Sequence, residues 1–364
     1  MSDHSCRRLA RRFPWVLSAI ASILLPVNTG CWVPYVITVG LGELGILLGS
    51  RPITEVLDSN TLDPETEAAL RYVLDVRDYA VNVLGLNAGQ AFTTFYDSQG
   101  QPVVYNISAC RKDRFEPYVW WFPIVGQIEY IGFFEKPQAD TYAQQLRDLG
   151  YDVFMYAPQG YSTMGWFADP LFSEALHRDA VDLAELVIHE LAHNTIYLIG
   201  NSVFNESVAT FIGRAGTLEY LEGRLGADHP VRQIAEQRWA DTDLYNRFWS
   251  DLYESLNALY TRSDLTSEQK IALRDPIFDE FKQRFLTDYL PLFHDPQRFA
   301  GVPGLAMDNA LVMIQRRYNL DLDLFQTVYD KLGQDLQAAI QVFIASARAP
   351  DPKQYLRDWL AANP

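Results

Sequence analysis

The sequence predicts an α+β fold: a small β-sheet packed on a helix that carries His-Glu-x-x-His, followed by a largely helical C-terminal half. Three observations predict it. Apolar residues recur at three and four spacing up to about Gly85. Between residues 90 and 165 the texture changes to short β-rich runs separated by Gly, Pro and Asp. From Asp179 to the end nearly every segment reads as helix, and no repeats, low-complexity tracts or linkers interrupt it. With 364 residues, 48% of them hydrophobic, there is enough apolar material for a core, and residues 31–364 read as one domain.

The first element is not part of that domain. "MSDHSCRRLARRFPWVLSAIASILLPVNTGC" opens with four arginines, continues in an apolar run from Trp15 to Val27 and ends in Gly30-Cys31, the layout of a secretory signal peptide over residues 1–30. The run is shorter than the ~20 residues a membrane-spanning helix requires. Gly30-Cys31 resembles the cleavage site of bacterial lipoproteins, although Asn28 stands where those sites usually carry an aliphatic residue. This reading makes Cys31 the lipidated first residue, anchored to a membrane on the periplasmic side of a bacterial cell envelope. The alternatives are an ordinary signal peptide or an uncleaved anchor. Cys110 would then be alone in the mature chain, unless it bridges to Cys31.

After Cys31, "WVPYVITVGLGELGILLGS" reads as a core helix, because Pro34, the glycines and Glu43 make it a poor membrane segment. Two helices are expected between Glu43 and Gly85, one of them starting at Asp63-Pro64. The runs "PVVYNIS", "PYVWWFPIVGQIEYIGFF" and "YDVFMYAP" should form one small sheet, interrupted by a helix at "KPQADTYAQQLRDLG". Trp120 and Trp121 fall on opposite faces if their run is a strand, so at least one belongs to the core. "QGYSTMGWF" follows as an edge strand. Residues 31–178 thus hold helices and the sheet, and 179–364 the motif helix and the helical remainder. Forty-six acidic against 30 basic residues, for a formal charge of −16, exclude a nucleic-acid backbone as partner.

Within "VIHELAHNTIYLIGNSVFNES" (187–207), His189 and His193 stand at i and i+4. On a helix this puts both imidazoles on one face, one turn apart, which suits two neighbouring positions of a tetrahedral Zn²⁺. Glu190 projects beside them, placed to take a proton from a water activated at the metal. A third ligand is needed. The helix can run to about Leu198, "IGNS" supplies a stop and a new cap, and the next helix brings Glu206 back toward the histidines in its first turns. The expected site is therefore one Zn²⁺ per chain held by His189, His193 and Glu206. The bland alternative is a helix with two core histidines and a solvated glutamate.

Four blocks, "SRPITEVL" (50–57), "WWFPIVGQIEYIGFF" (120–134), "LRDLGYDVFMYAPQGYSTMGWFADPLFS" (146–173) and "VIHELAHNTIYLIGNSVFNESVATFIGRAG" (187–216), occur in the order in which a known family carries them. On these the chain resembles the putative bacterial aminopeptidases, HExxH proteins of proteobacteria that are often lipoproteins. The resemblance runs from Cys31 through the helix after Glu206. It implies a zinc metallopeptidase with a zincin-like, gluzincin-like fold, in which His189, His193 and Glu206 are ligands and Glu190 the base.

A peptide substrate would add to the edge strand "YSTMGWFADP", with Gly165 permitting close backbone approach. Tyr161 in that strand and Tyr197 beyond His193 are candidates for the group that stabilises the oxyanion. His177 is either an outer support of the site or a loop histidine. The rival to catalysis is a zinc-stabilised, non-catalytic envelope lipoprotein that binds a peptide or cell-wall partner; an intact Glu190 argues for the enzyme.

Overall fold

The computed structural model describes residues 32–59, 61–122, 126–157, 169–317 and 322–363. The segment 1–30, Cys31, Tyr161 and Gly165 lie outside the described residues. Contacts divide the chain between Leu48 and Gly49. Helix α1 (Trp32–Gly49), the one expected after Cys31, runs up to that boundary. Among the described residues no helix is long and apolar enough to cross a membrane.

From Gly49 on, the order is β1 (Arg51–Pro52), α2 (Ile53–Asp58), α3 (Pro64–Asn82), β2 (Thr94–Tyr96), β3 (Tyr105–Arg111), β4 (Trp120–Phe122), β5 (Gly126–Ile128), β6 (Ile131–Phe133), α4 (Lys136–Asp148), β7 (Tyr151–Tyr156) and β8 (Leu171–Phe172). A short 3-10 turn (Ser173–His177) then leads into α5 (Ala180–Thr195), α6 (Ser202–Leu225), α7 (Pro230–Tyr260) and α8 (Ser267–Arg284). Helices α9 (Asn309–Arg317), α10 (Leu322–Lys331), α11 (Leu336–Ser346) and α12 (Pro352–Ala362) finish the chain. Helix α3 starts where its sequence says it should: the Asp63 carboxylate accepts from Glu65 N and Thr66 N, and Pro64 occupies the first helical position, where no N–H is needed.

The fold is α+β, and among the described residues the expected single sheet is three. Strands β6-β3-β7 form an antiparallel sheet, β1-β2-β8 a mixed one with β2 and β8 parallel, and β4-β5 a hairpin. In β3 five consecutive residues, Asn106 to Cys110, are buried, so both faces of its sheet are covered. The cover comes from α4 and α9. The helix carrying His189 instead packs between α3 and α6, and only the short β8 leads toward it. Among the described residues the β6-β3-β7 sheet does not lie on that helix as expected, and the expected edge strand "QGYSTMGWF" lies outside the described residues: a strand run shows that its faces are buried, not which helix buries them. In β4, Trp120 is 1% exposed and Trp121 62%, as the alternation requires.

Among the described residues two apolar cores lie in this part of the molecule. One gathers α2, α3, α5, α6 and α10–α12 around residues such as Val187, Ile188, Phe204 and Phe343. The other is aromatic, with Phe248, Trp249, Phe281 and Phe285 at its centre. Helix α7 serves both, placing Ala235 and Trp239 in the first and Phe248 and Leu252 in the second. Cys110 is a buried free thiol in β3, which burial pushes up to about 12.

Candidate metal centre

Helix α5 is held at its start by Asp179, whose carboxylate accepts from Val181 N and Asp182 N at 3.1 and 3.2 Å. Arg238 of α7 binds the same carboxylate, and this hydrogen bond is the main reason the acid sits below its usual range. Val181, Ala184, Val187, Ile188, Leu191 and Ala192 bury one broad face of α5. The helix stops at Thr195, earlier than the expected Leu198, because the β-branched Ile196 turns to φ −130°, ψ 105°. Gly200 reverses the chain at φ +79°, a conformation glycine adopts without strain, and Asn201 caps α6 by accepting from Phe204 N at 3.1 Å.

Helices α5 and α6 pack closely because α6 carries glycine at the contact. A β-carbon on Gly213 would lie 3.2 Å from His189 Cβ, and one on Gly216 would lie 2.9 Å from Leu84 Cδ1 and 3.1 Å from Ile188 Cγ2. This close approach brings the three candidate ligands together. His189 and His193 face each other with Nε2 atoms 3.1 Å apart and rings nearly perpendicular at 86°. Glu206 Oε2 lies 3.5 Å from His189 Nε2 and 3.6 Å from His193 Nε2. Among the described residues this is the one cluster of three metal-ligating side chains.

The spacing has a physical reading. Metal–ligand bonds of about 2.0–2.1 Å in a tetrahedron put neighbouring donor atoms about 3.3–3.4 Å apart. The observed 3.1, 3.5 and 3.6 Å bracket that edge, so the donor set fits a zinc-sized ion without rearrangement. The electrostatics agree. Burial opposes a charge on His189, but the Glu206 carboxylate, together with Glu190 and Glu185, more than offsets it and raises the imidazole above its ordinary value. For Glu206, burial alone would raise the carboxyl; hydrogen bonds from the two imidazoles hold it far below the usual range. The pocket thus stabilises positive charge facing an ionised carboxylate. His193 Nδ1 is buried without a partner among the described residues, where a ligating histidine ordinarily donates; nothing in the structure explains it.

A family model described as "Putative aminopeptidase" matches residues 34–356. The chain belongs to that family. No curated protein and no solved structure gives a significant match. In this member of the family, Glu190 is half-buried on α5 directly after His189, and its charge acts on His189 and on Arg178. Tyr197 lies just past the end of α5, 42% exposed; burial first, and then the Glu206 charge, raises its hydroxyl. Of the two tyrosines named from the sequence, it is the one that lies within the described residues. His177 is exposed in the turn before α5.

The structure adds residues that the sequence did not single out. Arg178 is half-buried, and burial holds its guanidinium below the ordinary value even though Asp182, Glu190, Glu185 and Glu174 oppose that shift. Glu185, one turn before His189, accepts from Trp239 Nε1 at 2.8 Å and lies 3.9 Å from Arg214 Nε. No local pattern marks these. Gly213 and Gly216 did carry a signal, since glycine inside a helix costs about 1 kcal/mol and asks for a packing reason.

Proposed function

We propose that this family member is a zinc-dependent peptidase of the aminopeptidase type. The observation that carries the reading is the convergence of His189 Nε2, His193 Nε2 and Glu206 Oε2 at 3.1–3.6 Å. The family's description points independently to a peptidase. These three side chains would hold the ion. When bound, the ion would polarise the scissile carbonyl and make the attacking water acidic near neutral pH. Glu190 is the base: it accepts the proton of that water and delivers it to the leaving amine. Tyr197, whose hydroxyl feels the Glu206 charge, would donate its phenolic O–H to the developing oxyanion. Arg178 offers a positive charge on the Glu190 side of the site, where Asp182, Glu185 and Glu174 also act on it.

The deciding experiment combines metal analysis with a peptide library. One zinc per chain and cleavage of peptides from the free amine are expected. Glu190→Gln should keep the zinc and lose about 10²- to 10⁴-fold in rate. Unchanged cleavage by Glu190→Gln would remove the base from the mechanism, and zinc without any cleavage would leave a binding protein.

The setting we propose is the bacterial cell envelope, periplasmic side, with a lipid on Cys31, from the basic, apolar and Gly30-Cys31 succession of residues 1–31. Radiolabelled palmitate should enter the expressed chain and be absent from Cys31→Ala. Equal labelling of both would place the anchor elsewhere.

A further inference from the structure

We propose that Asn205 is the positioning residue that delivers Glu206 to the two histidines; the proposal rests on the metal reading above. Twelve residues separate His193 from Glu206, and only 196–201 lie between the two helices. So short a connection must fix both the height and the rotation of the first turn of α6, because a 100° error per residue moves a side chain off the face. The cap at Asn201 fixes where α6 begins but not how it is rotated against α5.

Asn205 supplies that constraint. Its side chain is 2% exposed, its Oδ1 accepts from Leu198 N at 2.8 Å, and its Nδ2 donates to Leu198 O at 2.9 Å. One amide thus satisfies both backbone groups of the turn residue, as a neighbouring strand would. Asn201 N also donates to Leu198 O, at 3.2 Å, so Leu198 is tied to α6 at two levels. Glu206 is the next residue along the helix, and Asn205 pinned to the turn leaves its carboxylate facing His189 and His193. The neighbouring Ser207 contrasts with it: its hydroxyl donates to Val203 O within the same helix and ties nothing to the turn. Only a carboxamide performs both tasks. Aspartate keeps the acceptor for Leu198 N but offers no donor to Leu198 O, and leucine offers neither.

The test compares Asn205→Asp and Asn205→Leu with Val208→Ala, a fully buried apolar residue of α6 that packs in the core. Three readouts are taken on the full chain: amide exchange at Leu198 in the metal-free protein, zinc affinity by chelator competition, and the visible absorption of the cobalt-substituted protein. The Leu198 amide should be protected in the parent and exchange freely in Asn205→Leu. Zinc affinity should fall about 10- to 100-fold in both Asn205 variants, the usual effect of losing an outer support. The cobalt band should weaken with it, while Val208→Ala lowers Tm and leaves affinity and spectrum unchanged. Parental zinc affinity and cobalt spectrum in folded Asn205→Leu would overturn the proposal, as would equal losses in Val208→Ala. A parent chain that takes up no metal would reject the metal reading instead, and Leu198 exchange would then decide the clamp by itself.

Discussion

Between the β6-β3-β7 sheet and helices α8 and α9, Asp152 of β7 accepts from Arg274 Nη1 at 2.5 Å, from Arg274 Nη2 at 3.1 Å and from Asn309 N at 3.1 Å. Arg274 also donates to Lys112 O, and Asn309 links Arg111 O to the Tyr260 hydroxyl. At the α5–α6 contact, by contrast, two imidazole nitrogens and a carboxylate oxygen converge, three groups that can all act as acceptors. The first cluster is buried and the second half-buried, and they are built differently. The first matches donors to acceptors and a cation to an anion, and it joins the sheet to α8 and α9. The second is short of positive charge unless protons or a metal ion supply it. The difference teaches that burial of ionisable groups does not by itself mark a site; an excess of acceptors does.

The largest expected effect exchanges the roles of the two clusters. Asp152→Ala leaves Arg274 buried without its partner and should cost about 3–5 kcal/mol of stability, with zinc uptake per folded molecule unchanged. Glu206→Ala should do the reverse, weakening zinc about 100-fold or more while the metal-free protein unfolds at nearly the parental denaturant concentration. Chemical denaturation and metal titration on both variants check this. If the two gave the same pattern, the distinction between the clusters would be lost.

A smaller effect is expected from Gly213→Ala, because its β-carbon would stand 3.2 Å from His189 Cβ. Overpacking there should cost about 1–3 kcal/mol and shift a ligand, so stability and zinc affinity should fall together. Intact affinity in this variant would mean that the helix spacing is not what sets the ligand distances.

The smallest effect sharpens the comparison from the structural side. Asp308 accepts from Leu311 N at 2.8 Å at the start of α9, and burial, with the Asp152 charge adding to it, raises its carboxyl from 3.8 to about 6. A folded value above the unfolded one means that the folded state holds an extra proton between roughly pH 4 and 6. The stabilisation is complete below pH 4 and is lost as the pH rises through 6. Asp308→Asn keeps a cap and removes the titration, so its stability relative to the parent should improve from pH 4 to pH 7 in urea denaturation series. Parallel pH curves would show that Asp308 does not titrate in this window.

By itself the sequence determined what depends on short-range order. The i, i+4 pair His189 and His193 shares a face because of helix pitch, α3 begins at Asp63-Pro64 because an acceptor and a proline suit a helix start, and Gly200-Asn201 marks the reversal because of φ and capping. Family membership was legible in the same way, from blocks of residues in order. Only the tertiary structure decided that Glu206 reaches both Nε2 atoms, that Asn205 closes the turn on Leu198, and that the sheet takes α4 and α9 as partners and leaves α5 to α3 and α6. Periodicity reports that a face is buried. Which surface buries it, and how closely, follows from the fit of side chains distant in sequence, as at Gly213 against His189.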